Sequence, residues 1–140
     1  MLLPHGYDGA GPEHSSSRVE RYLQLCDQDE FVPFDGESYD NKDIVKEINM
    51  RVVMPSNAAQ YFHLLRTHMR LPFRKPVIVV APKKLLKFKN AASNIEDFAG
   101  ETRFKYLLED ESKTVKPQNV KKVILCSGQV FYDLESERTK

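Results

Sequence analysis

The run Val77-Ile78-Val79-Val80 constrains the fold of this chain most. Four β-branched residues in a row, without polar alternation, suit a strand buried on both faces, and such strands belong to parallel sheets covered by helices. A second apolar stretch, Met50 to Met54, ends at Pro55 and reads as another strand. Between them Ala58, Tyr61, Phe62, Leu65 and Met69 mark one helical face, with Ser56 as N-cap and Pro72 just beyond the end. Strand, helix, strand from Met50 to Ala81 is therefore a βαβ unit, for which a right-handed crossover is expected.

The chain opens on a second informative block, Leu2-Leu3-Pro4-His5-Gly6-Tyr7-Asp8-Gly9-Ala10-Gly11-Pro12-Glu13-His14-Ser15-Ser16. The two leucines read as the stub of a buried strand ended by Pro4 and Gly6. Pro12 suits the first turn of a helix, and Glu13 favours its dipole there. His5 then stands at a strand end and His14 at a helix start, where α/β proteins place ligand-binding residues. The helix is expected to run from Pro12 to about Cys26, with Val19, Tyr22, Leu23 and Cys26 as its apolar stripe. Arg21 reads as an exposed charge. Arg18, nearer the helix start, reads equally as exposed or as a cofactor or subunit contact.

Asp27 to Glu47 is polar and acidic and reads as a surface loop, with a short helix over Asp40 to Glu47. Its carboxylates lack the spacing, glycine and terminal glutamate of an EF-hand. Beyond Ala81, Lys83 to Phe88 begins a connector and Ala91 to Gly100 holds a helical turn. Thr102 to Leu108 has the pattern of a strand, and Glu109 to Asn119 that of a charged loop. Val120 to Cys126 reads as a second buried strand. Gln129 to Arg138 reads as a helix with Val130, Phe131 and Leu134 inward.

Twenty-one basic residues against 20 acidic ones leave a net charge of +1, without the basic stripe of a nucleic-acid binder. Lys83, Lys84, Lys87 and Lys89 read as a solvated face. No apolar run approaches the ~20 residues of a membrane span, and no secretory or transit signal is evident. His63 and His68 are five apart, on different helical faces, and read as surface or boundary residues rather than metal ligands. Cys26 and Cys126 form no ligand pattern and are expected to be reduced, in an intracellular compartment. The glycines follow G-x-x-G-x-G, neither a dinucleotide fingerprint nor a P-loop. Ser15 beside His14 is adjacency, not a nucleophile elbow.

The opening block, continued by Arg18-Val19-Glu20-Arg21-Tyr22-Leu23-Gln24-Leu25-Cys26, resembles the thiamine-diphosphate-dependent 2-oxoglutarate dehydrogenases, specifically their first, decarboxylating component. Gln60-Tyr61-Phe62-His63-Leu64-Leu65-Arg66, Phe73-Arg74-Lys75-Pro76-Val77-Ile78-Val79 and Cys126-Ser127-Gly128-Gln129-Val130-Phe131-Tyr132-Asp133-Leu134 follow in the family's order. The resemblance implies an α/β fold, a partial doubly wound parallel sheet followed by the first βα unit of another domain. Residues 1–88 would be the C-terminal part of a transketolase-like pyrimidine-binding domain, with 27–49 a surface insertion of the kind mitochondrial members carry. Residues 89–140 would begin the C-terminal domain.

The same resemblance implies oxidative decarboxylation of 2-oxoglutarate, with transfer of the succinyl group to lipoyl in the tricarboxylic acid cycle. It carries substrate binding onto His5 with Gly6 as backbone support, and places Glu13, His14 and Ser15 at the wall of the active site or subunit interface. Thiamine diphosphate and magnesium are the family's cofactors. Their G-D-G…N motif is absent from this chain, so no cofactor-binding or metal residue is assigned. The family's partners are a second E1 subunit and dihydrolipoyl succinyltransferase, in the mitochondrial matrix or, in bacteria, the cytoplasm. The chain is expected to be a fragment, inactive alone. Two alternatives stand beside it: a 2-oxoadipate dehydrogenase fragment, and a non-catalytic module that docks on full-length subunits.

Overall fold

The computed structural model describes residues 1–4, 16–27, 48–110 and 115–140. Three strands form one parallel sheet in the order β1-β3-β2, with β1 at Leu2–Pro4, β2 at Arg51–Val53 and β3 at Val77–Ala81. The fold is α/β, and the expected βαβ unit is present: helix α2, Ala58–Arg70, joins the adjacent parallel strands β2 and β3. The run that opened the sequence argument is the centre of the sheet. Ile78, Val79 and Val80 lie between two neighbouring strands and are almost wholly buried.

β1 is a strand but not a buried one. It sits at the sheet edge with one neighbour, and Leu2 is 70% exposed. Its register, Leu2 to Val79 and Pro4 to Ala81, is reinforced by the amino terminus, which donates to the Val77 carbonyl at 2.7 Å. Helix α1 is the short segment Val19–Gln24. Residues 16–18 of the longer expected helix are not helical, and Arg18 enters α1 with φ of 49°, in the left-handed region. Val19, Tyr22 and Cys26 are half-buried while Leu23 is exposed. The expected helix over Asp40 to Glu47 lies outside the described residues.

α2 begins and ends for local reasons. Asn57, not Ser56, is the N-cap: its Oδ1 accepts from the Gln60 N–H at 2.9 Å. Leu71 leaves the helix in an extended conformation because Pro72 follows it. Arg74 then donates to the carbonyls of Leu71, Phe73 and Met69, at 2.6, 2.9 and 3.3 Å. A cation there complements the helix end.

The inward face of α2 is not the one the apolar pattern marks. Ala59, Gln60, His63 and Leu64 are buried, whereas Phe62, Leu65 and Met69 are exposed. The reason is that this face grips irregular backbone. The Ala59 N–H donates to Ser93 Oγ at 3.0 Å, and Gln60 Oε1 accepts from the Lys105 N–H at 3.0 Å. His63 Nε2–H donates to the Asp97 carbonyl at 2.7 Å, and Arg66 to the Thr102 carbonyl at 3.0 Å. Polar side chains turn inward because the segment they meet has no sheet ladder to satisfy its own peptide groups.

The backbone leading into and through that segment is a string of 3₁₀ turns, Lys83–Lys87, Lys89–Ala91 and, within it, Ile95–Phe98, the last closed by a capping box between Asn94 and Asp97. The strand expected at Thr102 to Leu108 does not form. The one expected at Val120 to Cys126 does not form either, and Val123 and Leu125 are 75% and 80% exposed. β-branched composition favours a strand only where a neighbour can pair with it, and among the described residues none lies beside either segment. Helix α3, Gln129–Arg138, is present, but Gln129 and Tyr132 are its buried residues, not Val130, Phe131 and Leu134. Tyr132 anchors α3: its hydroxyl donates to the Ser56 carbonyl at 2.7 Å and its ring meets Phe88 at 5.2 Å.

Two substitutions test the inverted face of α2. His63→Leu is expected to destabilise the chain by about 1 kcal/mol, by removing the bond to the Asp97 carbonyl. Met69→Ser should stay within about 0.5 kcal/mol, as an exposed change. Asn57→Ala should cost about 1 kcal/mol, the worth of an N-cap. Urea denaturation measures all three.

Candidate functional site

In a parallel sheet every strand runs the same way, so Pro4, Val53 and Ala81 end at one edge. Ligands of open α/β sheets bind outside this carboxyl edge. The pairing of Pro4 with Ala81 delivers the chain to that edge one residue before His5. His5, Gly6, Glu13, His14 and Ser15 themselves all lie outside the described residues. What is described is the strand that precedes them in sequence, ending at Pro4.

Beside that strand is a recess of about 250 Å³. Leu3 and Pro4 of β1, Tyr61 of α2, and Pro82, Lys83 and Leu86 after β3 are among its lining residues. The lining is apolar apart from the Tyr61 hydroxyl and the Lys83 ammonium. Lys83 touches the recess two residues past the end of the central strand and is itself exposed, as the lysine run predicts.

A second recess, also about 250 Å³, lies between α2 and the turn at Gly100 and is lined by His63, Arg66, Thr67, Arg70 and residues 100–103. Gly100 makes the turn with φ of +63°, a region that favours glycine. His63 is 2% exposed, so it is a core residue rather than a surface or boundary one. Its bond to the Asp97 carbonyl fixes the proton on Nε2, and Nδ1 is buried without a partner. The signal for this grip was legible as a polar stripe at helical spacing, Gln60, His63 and Arg66. No group of three His, Cys, Asp or Glu residues able to hold a metal occurs among the described residues.

Ser17, at the start of α1, is buried with its hydroxyl unpartnered, while Arg18 beside it is exposed. Cys26 is half-buried and Cys126 exposed, both free thiols. Burial pushes the Cys26 thiol above its ordinary range, with Asp27 adding to the effect.

His68 is half-buried. Burial holds it below its ordinary value of 6.5, and Arg51, Arg74 and the amino terminus push it the same way. A base whose folded value is depressed takes up its proton more readily when unfolded, so stability falls as pH drops through about 6.5. The loss of stability between pH 7 and 5, followed by urea denaturation, should therefore shrink in His68→Gln.

Residues 1–89 match the family model described as transketolase, pyrimidine binding domain, and residues 92–140 the model described as 2-oxoglutarate dehydrogenase C-terminal. The chain is 51% identical over 138 residues to the 2-oxoadipate dehydrogenase complex component E1 of Mus musculus, covering 99% of this chain and 14% of that protein. It is 48% identical over 139 residues to the probable homolog of that component in Caenorhabditis elegans, with the same coverage. It is 43% identical over 147 residues to the 2-oxoglutarate dehydrogenase E1 component of Brucella ovis, covering 99% of this chain and 13% of that protein. The chain thus spans about one seventh of the length of these relatives. With both family models matched in order and identity of 43–51% along nearly its whole length, the chain belongs to the transketolase-like family of 2-oxoglutarate and 2-oxoadipate dehydrogenase E1 components.

Proposed function

We propose that this chain is the part of a 2-oxo acid dehydrogenase E1 component that holds the acid at the carboxyl edge of the pyrimidine-binding sheet. The observation that carries this reading is the Pro4–Ala81 register, which hands the chain to His5 at the edge where α/β sheets bind ligands. An imidazole there donates to a carboxylate or to a 2-oxo oxygen and exchanges a proton near neutral pH. Gly6 gives the backbone freedom to turn behind it, and Glu13, His14 and Ser15 complete the wall. The relatives include both 2-oxoglutarate and 2-oxoadipate components, which supports 2-oxoglutarate or its one-carbon-longer homologue 2-oxoadipate as the acid.

Thiamine diphosphate is the cofactor of this family and supplies the electron sink for decarboxylation. The described residues do not fit its metal-diphosphate end. The sequence lacks the G-D-G…N motif, and no acidic or imidazole cluster among the described residues would hold magnesium. The chain's own contribution is therefore binding and orientation of the acid. Cofactor, a second E1 subunit and the lipoyl-bearing acyltransferase belong to the larger assembly, in the mitochondrial matrix for a eukaryotic parent.

Two preparations test this. The purified 140-residue chain, given thiamine diphosphate, magnesium and either acid, should release no carbon dioxide. The same segment, exchanged for its counterpart in the Mus musculus relative, should yield an active enzyme, and His5→Ala in that chimera should lower kcat/KM by about 10²–10⁴-fold. Turnover by the isolated chain, or a chimera indifferent to His5→Ala, would overturn the reading.

A second reading is favoured by the exposed Val123, Ile124 and Leu125, which suit a non-catalytic module docking on full-length subunits. Under that reading the chain co-purifies with a full-length E1 component. Under the first it need not.

A further inference from the structure

The apolar stripe of α2 faces outward, and the proposed function makes no use of it. Phe62, Leu65 and Met69 are 42%, 46% and 63% exposed, and Ala58 at the head of the helix is exposed as well. These residues are spaced four, three and four apart. That alternation keeps them in one line down the helix, and it is the spacing with which two helices interlock at a shallow angle. The charges beside the line are ordered along it. The backbone from Ser93 to Thr102 runs in the same direction as α2, since Ser93 meets Ala59, Asp97 meets His63 and Thr102 meets Arg66. Glu96 therefore stands on this flank at the level of Phe62, whose ring meets Phe98 at 5.4 Å. The Asp97 carboxylate next to it is engaged by the Asn94 N–H. One and two turns further on, the same flank carries Arg66 and Arg70. Arg66, Arg70 and Arg103 outnumber Glu101 in the recess there, so this end is positive.

We propose that the outer face of α2 is an interface for a second copy of this chain, packed antiparallel about a twofold axis at Leu65. Such an axis sets Leu65 against its own counterpart and Phe62 against Met69. It also keeps each flank facing the same flank of the other copy while exchanging the two ends, so Glu96 of each copy stands opposite Arg66 and Arg70 of the other. Parallel pairing loses this match. It brings the positive ends of both helices to one level, in a helix that contains no acidic residue, and it aligns the two dipoles head to head. The interface is independent of acid binding at the carboxyl edge of the sheet. It is also small. A helix of 13 residues is about 20 Å long. A contact of that length falls short of the ~800 Å² per partner of a standard interface, so the dimer is weak, with a dissociation constant of roughly 10⁻⁴ M.

Sedimentation equilibrium of the 140-residue chain tests this, under reducing conditions because Cys126 is exposed. The chain should pass from monomer to dimer as its concentration rises through that dissociation constant. Leu65→Lys sets two ammonium groups together at the axis and should abolish the dimer. Met69→Ser should weaken it about tenfold, because each copy loses one buried side chain. Both positions are exposed in the monomer, so urea denaturation of dilute protein should match the parent chain and separate a lost interface from a lost fold. Glu96→Arg and Arg70→Glu should each weaken the dimer about threefold to tenfold, and the double variant, which exchanges the charges across the axis, should restore it. Leu125→Ser, in the other exposed apolar stretch, should change nothing. A chain that stays monomeric at tenfold above that concentration overturns the interface. So does self-association that survives Leu65→Lys, that depends on Leu125, or that the double reversal fails to rescue.

Discussion

The structure depends on a helix that spends its buried face on hydrogen bonds. Along α2, the Ala59 amide, Gln60, His63 and Arg66 each take a partner from the stretch between Ser93 and Lys105. That stretch contains one 3₁₀ turn, Ile95–Phe98, and otherwise no regular structure, so its peptide groups have few partners of their own. Each such bond contributes about 0.5–1.5 kcal/mol, so the four together match one or two buried apolar side chains. The helix therefore acts as a surrogate sheet edge. This orientation in turn leaves Phe62, Leu65 and Met69 outward and directs Tyr61 to the recess at the other side.

From that arrangement the position of the site follows. β2 and β3 are fixed side by side because α2 spans them, and β1 adds to the free side of β3 with its register set by the amino terminus. All three strands then finish at one edge. The residues that follow them differ in chemistry: an imidazole after β1, the Ser56 anchor of Tyr132 after β2, and a proline and a lysine after β3. The middle strand supplies the shared wall, the outer one the polar anchor of the proposed function. Ser56 is committed to α3 through its carbonyl and, at 3.4 Å, its hydroxyl, so the β2 end is structural.

The parts of this fold legible in the sequence were those with a local cause. Val77-Ile78-Val79-Val80 announced a central parallel strand because β-branched residues without polar alternation suit a strand buried on both faces. Pro55 and Pro72 bracketed α2. Legibility failed where the cause was tertiary. Hydrophobic spacing assigned the wrong face to α2 since it assumes an apolar core, whereas Gln60 and His63 are inside because distant carbonyls and amides need them. The same failure affects α3, whose orientation is set by one Tyr132 hydroxyl rather than by Val130, Phe131 and Leu134. Thr102 to Leu108 and Val120 to Cys126 carry strand-like composition, but pairing is a property of two segments, and one segment cannot reveal that its partner is missing beside it. Of the site, the edge was legible and the recess beside it was not, because its lining comes from three separated parts of the chain, at Pro4, Tyr61 and Leu86.

A carboxyl edge of this kind cannot be a complete catalytic centre. The recess opens to solvent beside Leu86, which is 75% exposed, and Leu2 on its other side is 70% exposed. Charge contacts made there are screened, and a ligand held against this wall keeps much of its hydration. Decarboxylation at an electron sink gains from exclusion of water, which strengthens every charge interaction within the site. Under the proposed function, the wall described here supplies the positioning half of that chemistry. The excluding half requires a second surface laid over Leu2 and Leu86, and the large apolar side chains left outward at this edge are the material with which such a surface would pack. Under the proposed function, binding of the acid and closure of the site are therefore separable properties: the first resides in these residues, and the second in whatever covers them.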